Sequence, residues 1–243
     1  MLKNPIICAI DTTDIDEASA LATQLKDVVG GIKLGLEFFI ANGPDGVKQV
    51  TGYGTSNQIP LFLDLKLHDI PKTVAGAMKS VVHLGAFMTT VHTLAGEDVL
   101  SAAVDAARSE SLKYGKERPL VMGVTILTSM DDDDLSQIGL PTVATQVPRL
   151  ASLSSQAGLD GCICSSHEIG RIRDDFGSRL KLAVPGIRPH GGETNDQKRI
   201  MTASAALNQG ADFLVIGRPI TQSKDPVAAA RLVLQDIERG AAA

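Results

Sequence analysis

What most narrows the fold of this chain is a repeat of architecture. Short runs of β-branched and aliphatic residues alternate with segments whose apolar residues fall three or four apart. The strand-like runs lie at residues 5–11, 30–35, 60–66, 86–92, 119–125, 159–165, 181–186 and 211–217, with helix-like segments such as 15–25, 73–84, 99–109 and 226–237 between them. Strict alternation implies parallel pairing, because a crossover helix returns each strand in the same direction. Eight such units in 243 residues suit one (β/α)8, or TIM, barrel of about 250 residues. The expected fold is therefore α/β, a (β/α)8 TIM barrel forming a single domain over residues 1–243. A doubly wound open sheet also satisfies the alternation and is the alternative.

Composition removes several function classes. With 44% hydrophobic and 21% charged residues the chain has ordinary globular make-up, and no stretch approaches the ~20 apolar residues of a membrane span. No membrane partner is expected. A net charge of −5, 3% aromatic residues and no Trp give little basis for a basic groove with stacking platforms, so no nucleic acid is expected either. The opening Met1-Leu2-Lys3-Asn4-Pro5 runs straight into the first strand-like segment. That lacks the basic region and apolar core of a secretory signal, and the cytoplasm is the expected location. Cys162 and Cys164 are one residue apart, poor spacing for a bridge. With His167 they fall short of a structural zinc pattern, so no metal is expected. Asp131–Asp134 lack the spaced ligands and glycine of a calcium loop and read as a solvated helix entrance.

In a barrel of this kind the chemistry lies where strands end and βα loops begin. The third strand-like run reads Leu63-Asp64-Leu65-Lys66, followed by Leu67-His68-Asp69-Ile70-Pro71-Lys72-Thr73. The two-residue period puts Asp64 and Lys66 on one face and Leu63 and Leu65 on the other. A lone Asp-x-Lys is more often a buried ion pair, and Asp69 or Asp11 could each cap a helix. The joint placement argues against that reading: Asp11 closes the first run and Lys33 lies near the end of the second, giving four charges of alternating sign at one rim. At the other side of the rim stand Gly217-Arg218-Pro219 and Pro185-Gly186-Ile187-Arg188-Pro189, where barrels commonly hold phosphate. Arginine forks match phosphate oxygens, so Arg218, Gly217 and Arg188 are phosphate-binding candidates, with Gln197 following the loop. His92, at the end of the fourth run, faces the rim and reads equally well as a structural histidine.

Taken together, Asp64-x-Lys66-x-x-Asp69-Ile70-Pro71-x-Thr73, with Asp11, Lys33 and Gly217-Arg218, resembles the orotidine 5′-monophosphate decarboxylase family over nearly the whole chain. The resemblance implies decarboxylation of orotidine 5′-monophosphate to UMP and CO2 in de novo pyrimidine biosynthesis, with no cofactor and no metal. It implies Lys66 as proton donor, Asp64 beside the substrate carboxylate, Lys33 completing the array and Asp11 near the ribose. It further implies Thr128 at the pyrimidine, Arg188, Gln197, Gly217 and Arg218 around the phosphate, and a homodimer in which Asp69 and Thr73 cross the interface. Lys72 and His190 stand where relatives often differ, and neither is given a role. A metal-dependent decarboxylase or isomerase of a sugar phosphate on the same scaffold is the nearest alternative. A non-catalytic nucleotide-binding barrel is another, without positive support from the intact charges.

Overall fold

The computed structural model describes residues 2–188 and 201–241. Within them lie the strands β1 (Ile6–Ile10), β2 (Gly31–Gly35), β3 (Leu61–Leu67), β4 (Met88–His92), β5 (Leu120–Val124), β6 (Gly161–Ile163), β7 (Lys181–Pro185) and β8 (Phe213–Ile216). They pair in chain order, β8 returns to β1, and the closed barrel is parallel throughout. The expected barrel is the observed fold, and the open-sheet alternative is excluded by the β1–β8 pairing. Each strand-like run of the sequence corresponds to one strand, mostly trimmed at its ends, where residues such as Pro5, Asp11 and Gly186 belong to loops; β3 instead runs one residue further, to Leu67.

Helix boundaries follow local chemistry. The helix expected over residues 73–84 starts earlier, at Pro71, because a first-turn position needs no N–H and proline's fixed φ suits it. The helix expected over 99–109 extends over Glu97–Tyr114 and stops at Gly115, whose φ of 61° makes the left-handed cap.

Two apolar clusters sort the strand residues by alternation. Ile6, Cys8 and Ile10 face outward to the helices, whereas Ile7 and Ala9 join Phe62, Met88, Met122, Ala183 and Val215 inside the barrel. Burial on both faces is why these strands read as continuous hydrophobic runs. Along β3 the inward positions are Phe62, then Asp64, then Lys66. An apolar plug thus gives way to charge at the C-terminal rim.

Candidate active site

The four charges expected at the rim are joined in a chain. Lys33 Nζ lies 3.1 Å from Asp11 Oδ1 and 3.8 Å from Asp64 Oδ2, and Lys66 Nζ lies 2.8 Å from the same Asp64 oxygen. Asp11 is available to Lys33 because Asp14 caps the helix Ile15–Leu25, its Oδ1 accepting from the N–H groups of Asp16 and Glu17. The helix-capping alternative for Asp11 is therefore replaced by an ion pair. Gly35 completes the packing: a Cβ there would come within 3.2 Å of Lys33 Nζ.

Lys66 does not continue β3 as a regular strand. Its φ is 48°, a left-handed value that among the described residues no other non-glycine adopts, and such backbone costs about 1–3 kcal/mol. The β3–β4 register shifts between Leu63 and Leu67, a bulge that re-aims the side chain at the rim. The irregularity is held from β4: the Lys66 N–H donates to Thr90 Oγ1 and Thr90 Oγ1 donates to Asp64 Oδ1, each at 2.8 Å.

Asp64 is buried, 8% exposed. Burial alone would raise its carboxyl, but Lys33, Lys66 and the hydrogen bonds from Lys66 and Thr90 outweigh that and hold it below the ordinary carboxylate value. A carboxylate lowered in the folded state stabilises the fold above its unfolded value, and that contribution is lost as pH falls through the folded one. The stability of the wild type relative to Asp64→Asn is therefore expected to hold level above roughly pH 5 and to fall progressively from about pH 5 to pH 2, read from urea denaturation at each pH. A constant difference across that range would contradict this electrostatic account.

The remaining expected residues surround the array. Asp69 is exposed on the loop after β3, and its Oδ1 accepts from the N–H of Ile70 at 2.6 Å. Among the described residues Asp69 forms no ion pair with the array. Thr73 is exposed in the first turn of the helix Pro71–His83. Thr128 is half-buried in the turn after β5. Gly217 follows β8 beside β1, where an added Cβ would sit 3.4 Å from Ala9 Cβ and 3.6 Å from Asp11 Oδ2. Arg218 comes next and opens a short helix. Arg188 is buried after β7 and donates to the Ile187 carbonyl. Burial and then the nearby positive charge of Arg218 press its guanidinium below the ordinary arginine value. Gln197 and His190 lie outside the described residues.

Two rim residues have no role in the sequence-based reading. Thr90 is fully buried. His68 stacks on His92, ring centroids 5.2 Å apart and 25° between planes. Burial, then His68 and Lys66, lower the His92 pKa. The cysteines are free and buried, with burial pushing Cys8 and Cys162 up to about 12 and Cys164 upward as well. Thiols held in the protonated form are poor nucleophiles and metal ligands. His167 is exposed, and among the described residues no group of three or more His, Cys, Asp or Glu is arranged to hold a metal ion.

Barrels of this kind carry their chemistry at the C-terminal rim, and the charges gathered there define the chain as a TIM-barrel enzyme. Known proteins narrow that class. The model of the orotidine 5′-phosphate decarboxylase / HUMPS family matches residues 4–233, and the chain belongs to that family. It is 51% identical over 238 residues to the orotidine 5′-phosphate decarboxylase of Rhodospirillum rubrum, covering 98% of this chain and 95% of the relative. It is 52% identical over 228 residues to that of Paramagnetospirillum magneticum, covering 93% and 95%. The crystal structure of orotidine 5′-phosphate decarboxylase from Lactobacillus acidophilus superposes with a TM-score of 0.84 at 33% identity, covering 97% of this chain and 99% of that one.

Proposed function

We propose that this enzyme decarboxylates orotidine 5′-monophosphate to UMP and CO2, a step of pyrimidine biosynthesis, without a cofactor or metal. The observation that carries the reading is the continuous array Asp11–Lys33–Asp64–Lys66 at the rim of a chain about half identical to enzymes of that name.

In this mechanism the bond from C6 of the pyrimidine to the carboxylate breaks and its electron pair stays on C6. That pair lies in the ring plane, where the ring carbonyls cannot delocalise it, so the site must stabilise it electrostatically. The Lys66 ammonium, oriented by Asp64, stands beside C6, offsets the growing charge and then delivers a proton to it. CO2 departs, UMP remains, and Lys66 is reprotonated from solvent. Asp64 next to the substrate carboxylate adds like-charge repulsion of roughly 4 kcal/mol at 4 Å and an effective dielectric of 20, relieved as CO2 leaves. Against barrier reductions that reach ~20 kcal/mol in enzymes this is secondary, and stabilisation of the carbanion in a fixed geometry supplies most.

Lys33 completes the catalytic charge array, Asp11 is assigned to the ribose side of the site, and Thr128 to the pyrimidine. Arg218, Arg188, Gly217 and Gln197 are assigned to the phosphate. The mutual repulsion of Arg188 and Arg218 supports an anion site, since a phosphate dianion between them offsets it.

The working form is a homodimer with Asp69 and Thr73 entering the other copy's site. Supporting this are the exposed apolar residues Leu36, Ile40, Ile70 and Leu94, which follow the ends of β2, β3 and β4 on one sector of the rim. Mixing inactive Lys66→Ala with inactive Asp69→Asn protein is expected to restore activity, because one site of each mixed dimer then holds both native groups. If the mixture stays inactive while subunits are shown to exchange, Asp69 does not act in the other copy's site. Location in the cytoplasm fits the same reading.

The function itself is tested by product analysis. Purified protein given orotidine 5′-monophosphate should release CO2 and leave UMP, and should not turn over sugar phosphates with added magnesium. The reverse pattern would move the assignment to a metal-dependent sugar-phosphate enzyme.

A further inference from the structure

Parallel strands normally satisfy each N–H with a carbonyl of the neighbouring strand. Here the pairs Leu63↔Thr89 and Leu67↔Val91 flank a register shift, so Asp64, Leu65 and Lys66 face a single residue of β4, Thr90. Its hydroxyl takes the place of the missing carbonyl, accepting from the Lys66 N–H at 2.8 Å, and passes its own proton toward Asp64 Oδ1 at 2.8 Å. That occupies the hydroxyl's donor site and one of its acceptor sites, both in the same direction of polarisation. The neighbouring Thr89 hydroxyl donates to the Leu63 carbonyl at 2.8 Å, closing the other edge of the bulge.

The consequence reaches the charged ends. With Oδ1 of Asp64 held by Thr90, Oδ2 is turned to Lys66 Nζ at 2.8 Å and to Lys33 Nζ at 3.8 Å. Thr90 is 0% exposed, so bulk water cannot substitute for it, and its β-branch restricts χ1 so that the hydroxyl is not free to turn away. We propose that Thr90 is a positioning residue, one hydroxyl that fixes both the left-handed backbone of Lys66 and the orientation of the Asp64 carboxylate. This rests on the assignment of Lys66 and Asp64 to the decarboxylation.

Thr90→Val keeps the branched shape and removes both hydrogen bonds; Thr90→Ser keeps the hydroxyl. In steady-state assays on orotidine 5′-monophosphate, Thr90→Val is expected to lower kcat about 100-fold with KM within about threefold, the pattern of a group misplaced by the order of 1 Å. Thr90→Ser should restore most of that loss. Thermal melts on the same preparations report whether each variant folds, and should valine not fold, Thr90→Ala carries the same comparison with Thr90→Ser. A valine variant with wild-type kcat, or a folded serine variant as impaired as valine, overturns the proposal. A wild-type protein that leaves orotidine 5′-monophosphate unchanged overturns this proposal together with the functional reading. Wild-type turnover combined with a fully active Thr90→Val overturns this one alone.

Discussion

Lys66→Ala is expected to bind UMP with little loss while turning over orotidine 5′-monophosphate at least ~10⁴-fold more slowly, since the substitution removes proton donor and electrostatic stabiliser together. In the proposed mechanism the two losses act on one transition state, because the same ammonium would face C6 as charge builds and then supply the proton. Removing it also leaves Asp64, buried at 8% exposure, with Lys33 as its remaining cationic neighbour at 3.8 Å. Titration calorimetry with UMP and steady-state assays separate the two effects. An unchanged kcat would remove Lys66 from the chemistry, whereas a proportional loss of UMP affinity would assign it to binding.

Arg218→Ala should lower kcat/KM about 10³-fold, and should reduce kcat as well as raise KM. Deleting one charge-assisted phosphate contact would by itself cost about 1.5–3 kcal/mol. The additional loss is expected because binding energy from a remote phosphate can drive closure and alignment at the reacting ring. The corollary is that phosphite, added as a separate ion, accelerates wild-type turnover of orotidine, the substrate lacking its phosphate. No acceleration would mean that phosphate binding anchors the substrate without assembling the site.

The sequence made the barrel legible because alternation of strand and helix is a property of every unit, and errors at single boundaries do not disturb it. The Asp64–Lys66 pair was legible for a related reason: a two-residue period predicts a shared face, and their ion pair at 2.8 Å agrees. The period does not foresee that β3 is bulged there, since a lysine with φ of 48° carries no local signal for the left-handed region, which is imposed by packing against β4. Thr90 was illegible for the opposite reason. A threonine in a strand is ordinary β-branched filler until its neighbours are known, and its partners lie 24 and 26 residues away in the chain.

Capping chemistry explains the ambiguity at Asp11. Two aspartates precede the first helix, and either could have capped it; Asp14 does so, and Asp11 meets Lys33. Asp69 shows the limit of reading a single chain. Its position after β3 was clear, but within the chain its carboxylate accepts from the Ile70 N–H and, among the described residues, forms no ion pair with the array; the mixing of Lys66→Ala with Asp69→Asn protein tests the proposed role in a second copy's site.

Decarboxylation of orotidine 5′-monophosphate by the rim array, as proposed, runs through Lys66 and needs no metal. The most direct measurement is the loss of orotidine 5′-monophosphate absorbance in excess EDTA, followed for wild type and Lys66→Ala side by side. Rapid loss is expected with wild type and essentially none with the variant. Wild-type activity that disappears in EDTA and returns with magnesium, or a variant as fast as wild type, would contradict it.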